Sequence, residues 1–576
     1  MTAADAAPRA SSVGRAAVLS GVLIAGGTAL GFLRDLAMAH LFGASGSTDA
    51  FLVAWTIPET VSPLLIEDAM ALLMVPAVTR LLAGGEGLRP FVGATLPRMV
   101  AVLAAATVTL AVGAPVLVKL LAPGLTEPGP AVGCVRLTAV TVVTFGVAGL
   151  MSATLRAHHR FGPPAAIYLA YNAGILALIA GFSGVIGITS AAVGVACGSV
   201  LMVAVQAPAF LRCLREAPAP ASPPGRAADV RLGIAAVAPI VVYTVTRQSQ
   251  VFVERFLGSG LAAGSISHLN YAQKVAQVPM VLSLLIVTVT FPRLARASAD
   301  GDTDRIARRI QRDLVVVNGM VLCATAYLVA FAPVIVEALF EHGAFTSADT
   351  GETAAIMRVY ALGLWGQSTV GLAARAFFAH GRPTWRPAAV LAAGLAVTTA
   401  VGAAFAPVAG AVALAAANAA GITVAAVLLL AGVRLKVAPV SLRRVGADVG
   451  RLVLVAAGSG AAGLLAAAAP GIGRGGAPAI VTAVTGGAVT AATFAALVAV
   501  AGRGLIASWI TAGPPGDPAD SGRASEPADR RTDPPDRTDT PGGDGPVPCG
   551  GTSPHTPRNG PVPCGGTTPH TPRNDP

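Results

Sequence analysis

The stretch GFLRDLAMAHLFGASGSTDAF, residues 31–51, places charged side chains inside a long apolar region. Apolar residues precede it from about residue 16, and they resume after Asp49 with AFLVAW. Arg34 and Asp35 therefore interrupt a segment that is otherwise long and apolar enough to cross a membrane. A charge at the centre of a bilayer costs roughly 2.5–3.5 kcal/mol on insertion scales, so we expect these residues to face a protein interior or a watery cavity.

The composition of the whole chain is typical of a membrane protein. Of its 576 residues, 54% are hydrophobic and 12% are charged, whereas soluble domains carry about 25% charged residues. The formal net charge of +11 does not indicate nucleic-acid binding, because the arginines lie in short loops between apolar segments, as in membrane proteins. Membrane lipids, and no nucleic acid, are the partners that this composition favours.

Apolar stretches recur along the chain up to residue 502, and each is about 20 residues long or longer. They predict an all-α, polytopic membrane fold with about fourteen transmembrane helices. We expect no cleavable signal peptide, because the first apolar run leads directly into another span. From residue 503 the composition changes to Pro, Asp, Arg and Gly, which predicts a disordered tail over 503–576.

The basic residues of the loops alternate along the chain. Arginines are concentrated in every second loop, for example within residues 293–312. The intervening loops, such as GASGST (43–48) and EHGAFTSADTGE (341–352), lack them, with Arg474 as the exception. Because basic loops remain on the cytoplasmic side, the pattern places both termini in the cytoplasm.

Charged residues also lie inside or beside the predicted spans, and two interpretations stay open for them. They form ion pairs that lock helices together, those near span ends reaching the membrane interface, or they line a cavity between two groups of helices. Arg and Lys in such a cavity would bind an anion, most naturally phosphate. The candidates are Arg34, Asp35, Asp49, Glu67, Asp68, Arg136, Arg247, Glu254, Arg255, Lys274, Arg358 and Arg375.

The sequence indicates no enzyme chemistry. It has no nucleotide-binding P-loop, no HExxH pattern and no Ser/His/Asp signature in a soluble domain. No cofactor is therefore expected, and any transport would be coupled to the membrane potential, a monovalent ion or the substrate gradient.

The tail repeats a 15-residue block, 545–559 and 560–574, with one Cys and one His in each copy. Two copies could form a Cys2His2 metal site, but we expect a tandem duplication and no metal.

Three separated motifs resemble one family, the lipid II flippases called MurJ or MviN. The first is GFLRDLAMAHLFGASGSTDAFLVAWTIP (31–58), and the second is VERFLGSGLAAGSISHLNYAQKVAQVP (253–279). The third begins with LFEHGAFTSADTGETAAIMRVYALGLWGQ (339–367) and continues with ARAFFAHGRPTWRP (374–387). The resemblance covers about residues 15 to 502 and excludes the tail.

The resemblance implies the fold of the MOP exporter superfamily, in which two six-helix lobes form a V-shaped cavity. The implied boundaries are a cytoplasmic N-terminus (1–15), a first lobe (16–213), a linker (214–231), a second lobe (232–433) and two further helices (434–502). The family carries undecaprenyl-pyrophosphate-linked peptidoglycan precursor from the inner to the outer leaflet of the bacterial cytoplasmic membrane by alternating access. Cell-wall synthesis proteins are further expected partners.

The resemblance also implies a substrate site. Arg34 and Lys274 match cavity positions that hold the pyrophosphate, and Asp35, Asp49 and Glu67 match acidic family positions. We expect Arg34 and Lys274 to act as a pair across the cavity.

Several expected cationic positions are missing, and Arg247 or Arg136 would compensate for them. Where the family reads PNLLRRLFAEGA, this chain reads PETVSPLLIEDA, so that Ser62 and Pro63 replace two arginines. Thr28 stands where another arginine is usual. The departures leave alternatives open: a flippase for another lipid-linked saccharide, an ion-coupled exporter of small molecules, or a non-transporting cell-wall scaffold.

Overall fold

The structure is a computed structural model of the 576-residue chain. It describes residues 10–83, 87–216, 231–281, 303–379, 384–468 and 478–501. These residues form helices and short connections, with no β-strand among them. The predicted tail, its duplicated block and most of the predicted linker lie outside the described residues.

The first half of the chain forms nine α-helices and one π-helical turn, Pro63–Asp68, which joins the second helix to the third. The helices are α1 (Ala10–Phe42), α2 (Gly46–Ser62), α3 (Ala69–Ala83), α4 (Leu88–Val112), α5 (Ala114–Leu121), α6 (Pro128–Thr138), α7 (Thr141–Ala157), α8 (Gly162–Ile186) and α9 (Thr189–Glu216).

The described part of the second half is equally helical. Its helices are α10 (Arg231–Gly258), α11 (Ser265–Ala276), α12 (Thr303–Phe340), α13 (Ser347–Leu362), α14 (Leu364–Ala379), α15 (Arg386–Lys436), α16 (Leu442–Ala467) and α17 (Ala479–Ala501). Helix α15 is interrupted at Gly410, whose φ of 59° and ψ of −143° are not helical. It therefore consists of two consecutive helices.

Ten helical segments in the described residues are long and apolar enough to cross a membrane. Together with the absence of strands from the described residues, they confirm the prediction of an all-α protein that crosses a membrane several times. Helix α10 has 28 residues and is also long enough, at about 1.5 Å per residue. It is more polar because it carries Arg247, Glu254 and Arg255.

The two halves have separate apolar cores. Trp55, Tyr171 and Phe145 pack together in the first, with Tyr171 in contact with both other rings. In the second core, Tyr271, Phe340 and Phe345 pack against one another. Helices α16 and α17 pack on α12 through a smaller cluster that includes Leu322, Leu452 and Phe494. We call α1–α9 the first lobe and α10–α15 the second lobe.

Glycines bring α1 and α8 close together. A Cβ atom at Gly27 would lie 3.0 Å from Tyr168 Cβ and 3.1 Å from Leu169 N. One turn later, a Cβ at Gly31 would lie 3.3 Å from Asn172 Nδ2. This spacing of small residues allows close packing of membrane helices. It also holds Asn172 against the charged part of α1.

Three prolines within helical backbone, at positions 58, 63 and 333, leave the carbonyl four residues earlier without its usual donor. In each case a side chain from another helix donates to that carbonyl. The three pairs are Thr138 Oγ1 to Ala54 O at 3.2 Å, Gln248 Nε2 to Glu59 O at 2.8 Å and Arg358 Nε to Val329 O at 3.2 Å. The pair of Gln248 and Glu59 joins the two lobes.

Replacing Gly27 with Leu should destabilise the protein, because the added side chain has no room between α1 and α8. Overpacking of this kind costs roughly 1–3 kcal/mol, which thermal unfolding of the purified protein in detergent would measure. Gly21→Leu is the matched control, since no atom lies within 4 Å of a Cβ at Gly21. Equal unfolding temperatures for the two variants would contradict the close approach of these helices.

Candidate functional site

A cavity of about 760 Å³ is lined mainly by the second lobe. Its size is that of a pocket for a small molecule or for the polar part of a larger one. Helices α10, α11, α14 and α15 supply most of the lining, and α2 with the π-helical turn contributes two acids. The charged lining residues are Glu59, Glu67, Arg247, Lys274 and Arg375. The arrangement favours a polar, charged ligand.

A second, much smaller cavity lies between the lobes. Its volume is about 10 Å³, close to the minimum that holds one water molecule. Arg34, Asp35 and Trp55 line it from the first lobe, and Asn270 and Lys274 line it from α11. The structure therefore places Arg34 and Lys274 around one small space, but only Lys274 also lines the large cavity.

Arg34 is fully engaged by the first lobe in this conformation. Its Nε and Nη2 atoms donate to Asp35 Oδ1 at 3.1 and 2.7 Å, and Nη1 donates to Asn172 Oδ1 at 3.1 Å. The guanidinium also lies 4.2 Å from the centre of the Trp55 ring, within the range of a cation–π contact. Arg34 and Asp35 form an internal ion pair here and are both buried.

Glu59 is the central acid of the site, and sequence reasoning missed it. Its carboxylate lies 3.4 Å from Lys274 Nζ and 3.9 Å from Arg255 Nη2. Because Glu59 belongs to α2 and the two cations to α11 and α10, these contacts connect the lobes. Its only signal is the comparison with the family, since Glu59 stands where the family pattern PNLLRRLFAEGA has Asn.

Glu67 faces the large cavity and is held by a neighbour on α8. It accepts a hydrogen bond from the Tyr168 hydroxyl at 2.7 Å. The same hydroxyl lies 2.8 Å from Ser62 Oγ, so one of the positions where arginine is usual carries a neutral hydrogen-bonded side chain. Thr28 bonds only within its own helix, to Ile24 O at 3.1 Å. The side chain of Asp68 lies outside the described residues.

Asp49 lies away from both cavities, at a contact between the lobes. It is in the first turn of α2 and is 3% exposed. Its two oxygens accept hydrogen bonds from Gly264 N at 2.8 Å, Ser267 N at 2.8 Å and Ser267 Oγ at 2.6 Å. The carboxylate thus caps the N-terminus of α11, where backbone donors and the helix dipole favour a negative charge.

The loops at this end of the helices also contact one another. Ala344 N donates to His40 O at 2.8 Å, and Gly124 N donates to Ser259 Oγ at 3.2 Å. These are loops that lack basic residues. At the other end, Arg89 donates to the carbonyls of the last turn of α9, at 2.6 and 2.7 Å. Arg89 and Arg215 therefore lie at the opposite end of the helices from these loops.

The remaining candidates have other surroundings. Glu254 is buried and accepts hydrogen bonds from Asn418 at 2.6 Å and Gln250 at 3.0 Å. Arg136 is exposed on α6 and does not line the large cavity. Arg358 donates a hydrogen bond to Val329 O, the carbonyl that Pro333 leaves without its helical donor. Arg247 and Arg375, by contrast, both line the cavity.

The chain is similar to known transport proteins. The sequence model of the family "Lipid II flippase MurJ" matches residues 38–470, more than half of the chain. The lipid II flippase MurJ of Burkholderia cenocepacia is 26% identical over 416 residues, which cover 70% of this chain and 80% of the relative. A probable lipid II flippase MurJ of Rhizobium meliloti is 27% identical over 359 residues, covering 59% and 65%.

Solved structures show a similar fold. One of the lipid II flippase MurJ in an inward closed conformation matches with a TM-score of 0.70 at 19% identity, covering 84% of this chain and all of that chain. An inward-facing multidrug resistance MATE family transporter of the MOP superfamily matches with a TM-score of 0.54 at 14% identity, covering 75% and 94%. The predicted fold class is therefore confirmed.

Removing the Asp49 carboxylate should open the contact between the lobes. Asp49→Ala leaves three donors at the start of α11 without their acceptor, and each bond to a charged group contributes about 1.5–3 kcal/mol. A Cβ at Gly46 would lie 3.7 Å from Ala263 Cβ, so cysteines at these positions should form a disulfide. We expect Asp49→Ala to slow this cross-link at least about tenfold.

Glu127→Ala is the matched control for this experiment. Glu127 is exposed at the same end of the first lobe, and its side chain makes no capping hydrogen bond. An equal cross-linking rate in Asp49→Ala and Glu127→Ala would show that Asp49 does not hold the lobes together.

Proposed function

This chain belongs to the lipid II flippase MurJ family, and on that premise we propose that it moves lipid II from the inner to the outer leaflet. The transported molecule is an undecaprenyl-pyrophosphate-linked peptidoglycan precursor in the bacterial cytoplasmic membrane. The observation that carries the proposal is the large cavity with charged side chains in its lining, beside lobes that are joined at one end. A lipid-linked saccharide needs such a space for its sugars and phosphates, while its chain stays in the membrane.

Alternating access requires the two lobes to separate at the end where they now touch. The contacts to be broken include the cap of Asp49 on α11, the contact between residues 344 and 40, and the hydrogen bond from Gly124 N to Ser259 Oγ. A cavity between rocking lobes then opens to the other side of the membrane. The energy for this cycle would come from the membrane potential, a monovalent ion or the substrate gradient.

In the proposed site, Lys274 becomes available to the substrate before Arg34 does, because it already lines the large cavity. Arg34 lies behind it, across the small cavity, and it becomes available only if α11 moves away from α1 and α2. Asp35 keeps the Arg34 charge balanced until then. Asp49 restrains α11 through the hydrogen bonds at the start of that helix, and Glu67 holds the Tyr168 hydroxyl beside the cavity.

The loops indicate the orientation of the protein in the membrane. The connected loops lack basic residues, so they would face away from the cytoplasm, and both termini would lie inside the cell. The cavity would then open toward the cytoplasm, where the precursor is made. Cell-wall synthesis proteins are proposed partners beyond the lipid substrate.

One observation favours a second candidate function, the flipping of another lipid-linked saccharide. The segment that contributes Glu59 and Glu67 to the cavity has Glu59, Ser62 and Pro63 where the family pattern has an amide and two arginines. A wall with fewer positive charges would suit a substrate with a different head group. Transport assays with lipid II and with other undecaprenyl-linked saccharides would separate the two functions.

Expression of this chain should restore growth and lipid II transport to cells depleted of their own flippase. An ion-coupled exporter of small molecules would leave lipid II on the inner leaflet, and so would a scaffold without transport activity.

Arg34→Ala should abolish the rescue at normal membrane abundance if Arg34 binds substrate. If Asp35→Ala restores transport to Arg34→Ala, Arg34 serves only as the partner of Asp35.

The disulfide between Gly46→Cys and Ala263→Cys should stop transport, because it keeps the lobes joined at one end. Transport should return when the disulfide is reduced. The two new cysteines should be introduced into a variant of the protein that lacks the native cysteines. Each single cysteine variant is the control. Full activity of the oxidised double variant would contradict alternating access through separation at this contact.

Reporters fused at residue 510 and in the 343–351 loop should report opposite sides of the membrane. The C-terminal fusion should be cytoplasmic, because the arginine-rich loops share its side. A protease or alkaline phosphatase reporter would measure the location. Reporters on the same side would overturn the proposed topology.

A further inference from the structure

We propose that the diphosphate of the substrate is held on the second-lobe wall of the large cavity, between Arg247 of α10 and Arg375 of α14. The inference rests on the proposed function and assigns the residues that bind the diphosphate of that substrate. The two arginines lie on different helices of one lobe, so the site would move with that lobe during transport.

The charges of the large cavity are divided between the lobes. Among the residues that the structure describes, the first lobe contributes two acids to the lining, Glu59 and Glu67, and no base. The described part of the second lobe contributes three bases, Arg247, Lys274 and Arg375, and no acid. A diphosphate carries negative charge, so it is attracted to the second-lobe wall and repelled by the first.

Three of the cations near the cavity are already balanced by acidic partners. Glu59 lies 3.4 Å from Lys274 Nζ and 3.9 Å from Arg255 Nη2. Arg34 is held by Asp35 and Asn172 and does not line the large cavity. These groups would have to leave a protein partner before they could bind an anion.

Arg247 and Arg375 have no acidic partner among the residues that the structure describes. Both guanidinium groups belong to the lining of the same cavity. Two like charges facing one cavity are costly, and an anion between them removes the repulsion. Each planar guanidinium can donate two parallel hydrogen bonds to phosphate oxygens. A diphosphate has two phosphate groups and can satisfy both arginines at once.

Binding of undecaprenyl diphosphate to the full-length protein in phosphatidylcholine nanodiscs tests the site. Arg247→Ala and Arg375→Ala should each weaken binding about tenfold or more. Arg→Lys at either position should have a smaller effect, because ammonium keeps the charge but lacks the paired donors. Arg136→Ala is the control, since it removes an exposed arginine of the first lobe that does not line the cavity.

Nanodiscs that contain phosphatidylglycerol distinguish the two sources of phosphate. We expect undecaprenyl diphosphate to bind there almost as well as in phosphatidylcholine. Full competition by phosphatidylglycerol would overturn the inference, because the arginines would then hold any anionic lipid. Equal binding by Arg247→Ala, Arg375→Ala and Arg136→Ala would also overturn it, as would a wild-type protein that binds no undecaprenyl diphosphate.

Lipid II transport in flippase-depleted cells separates this inference from the proposed function. A wild-type chain that fails to transport lipid II contradicts the proposed function. A wild-type chain that transports, together with arginine variants that transport as well as Arg136→Ala, contradicts only the site. Thermal unfolding should show that each variant is folded, and Arg→Gln replaces Arg→Ala wherever the alanine variant is not.

Discussion

A polar group buried inside a membrane protein has no bulk water to bind, so it must find its partner within the chain. Three of the carbonyls freed by prolines accept hydrogen bonds from side chains of other helices, and Arg34 contacts an acid, an amide and an aromatic ring. The same requirement joins the lobes. Gln248 donates to Glu59 O at 2.8 Å, and Asp49 accepts three hydrogen bonds from the start of α11.

A buried polar group that loses its partner in the protein needs another partner in its place. An ion pair that loses one member leaves an uncompensated charge, at a cost of about 3–5 kcal/mol when buried. Movement of the lobes therefore needs replacement partners, and a phosphate or entering water can supply them. The contact of Lys274 with Glu59 is half-buried and long at 3.4 Å, which makes it easier to replace than the buried pair of Arg34 and Asp35.

Much of the architecture was predictable because a bilayer imposes a length and an apolar composition on every span. The ion pair of Arg34 and Asp35 was predictable, because internal ion pairing was one of the two interpretations of the charged residues and these two are neighbours in the sequence. Contacts between distant segments were not. Gln248 and Glu59 are 189 positions apart, and no periodicity links them. Glu59 itself was missed because a single acid between two prolines has no pattern of its own.

The division of charge between the two walls links the fold to its function. With acids on the first-lobe wall and bases on the second-lobe wall among the described residues, the two walls attract each other across the cavity. An anion bound to the second lobe weakens that attraction, since it balances the bases that the acids would otherwise face. A ligand can shift a conformational equilibrium only by binding one state better. Substrate charge would therefore favour separation of the lobes, so that binding and movement depend on the same few side chains.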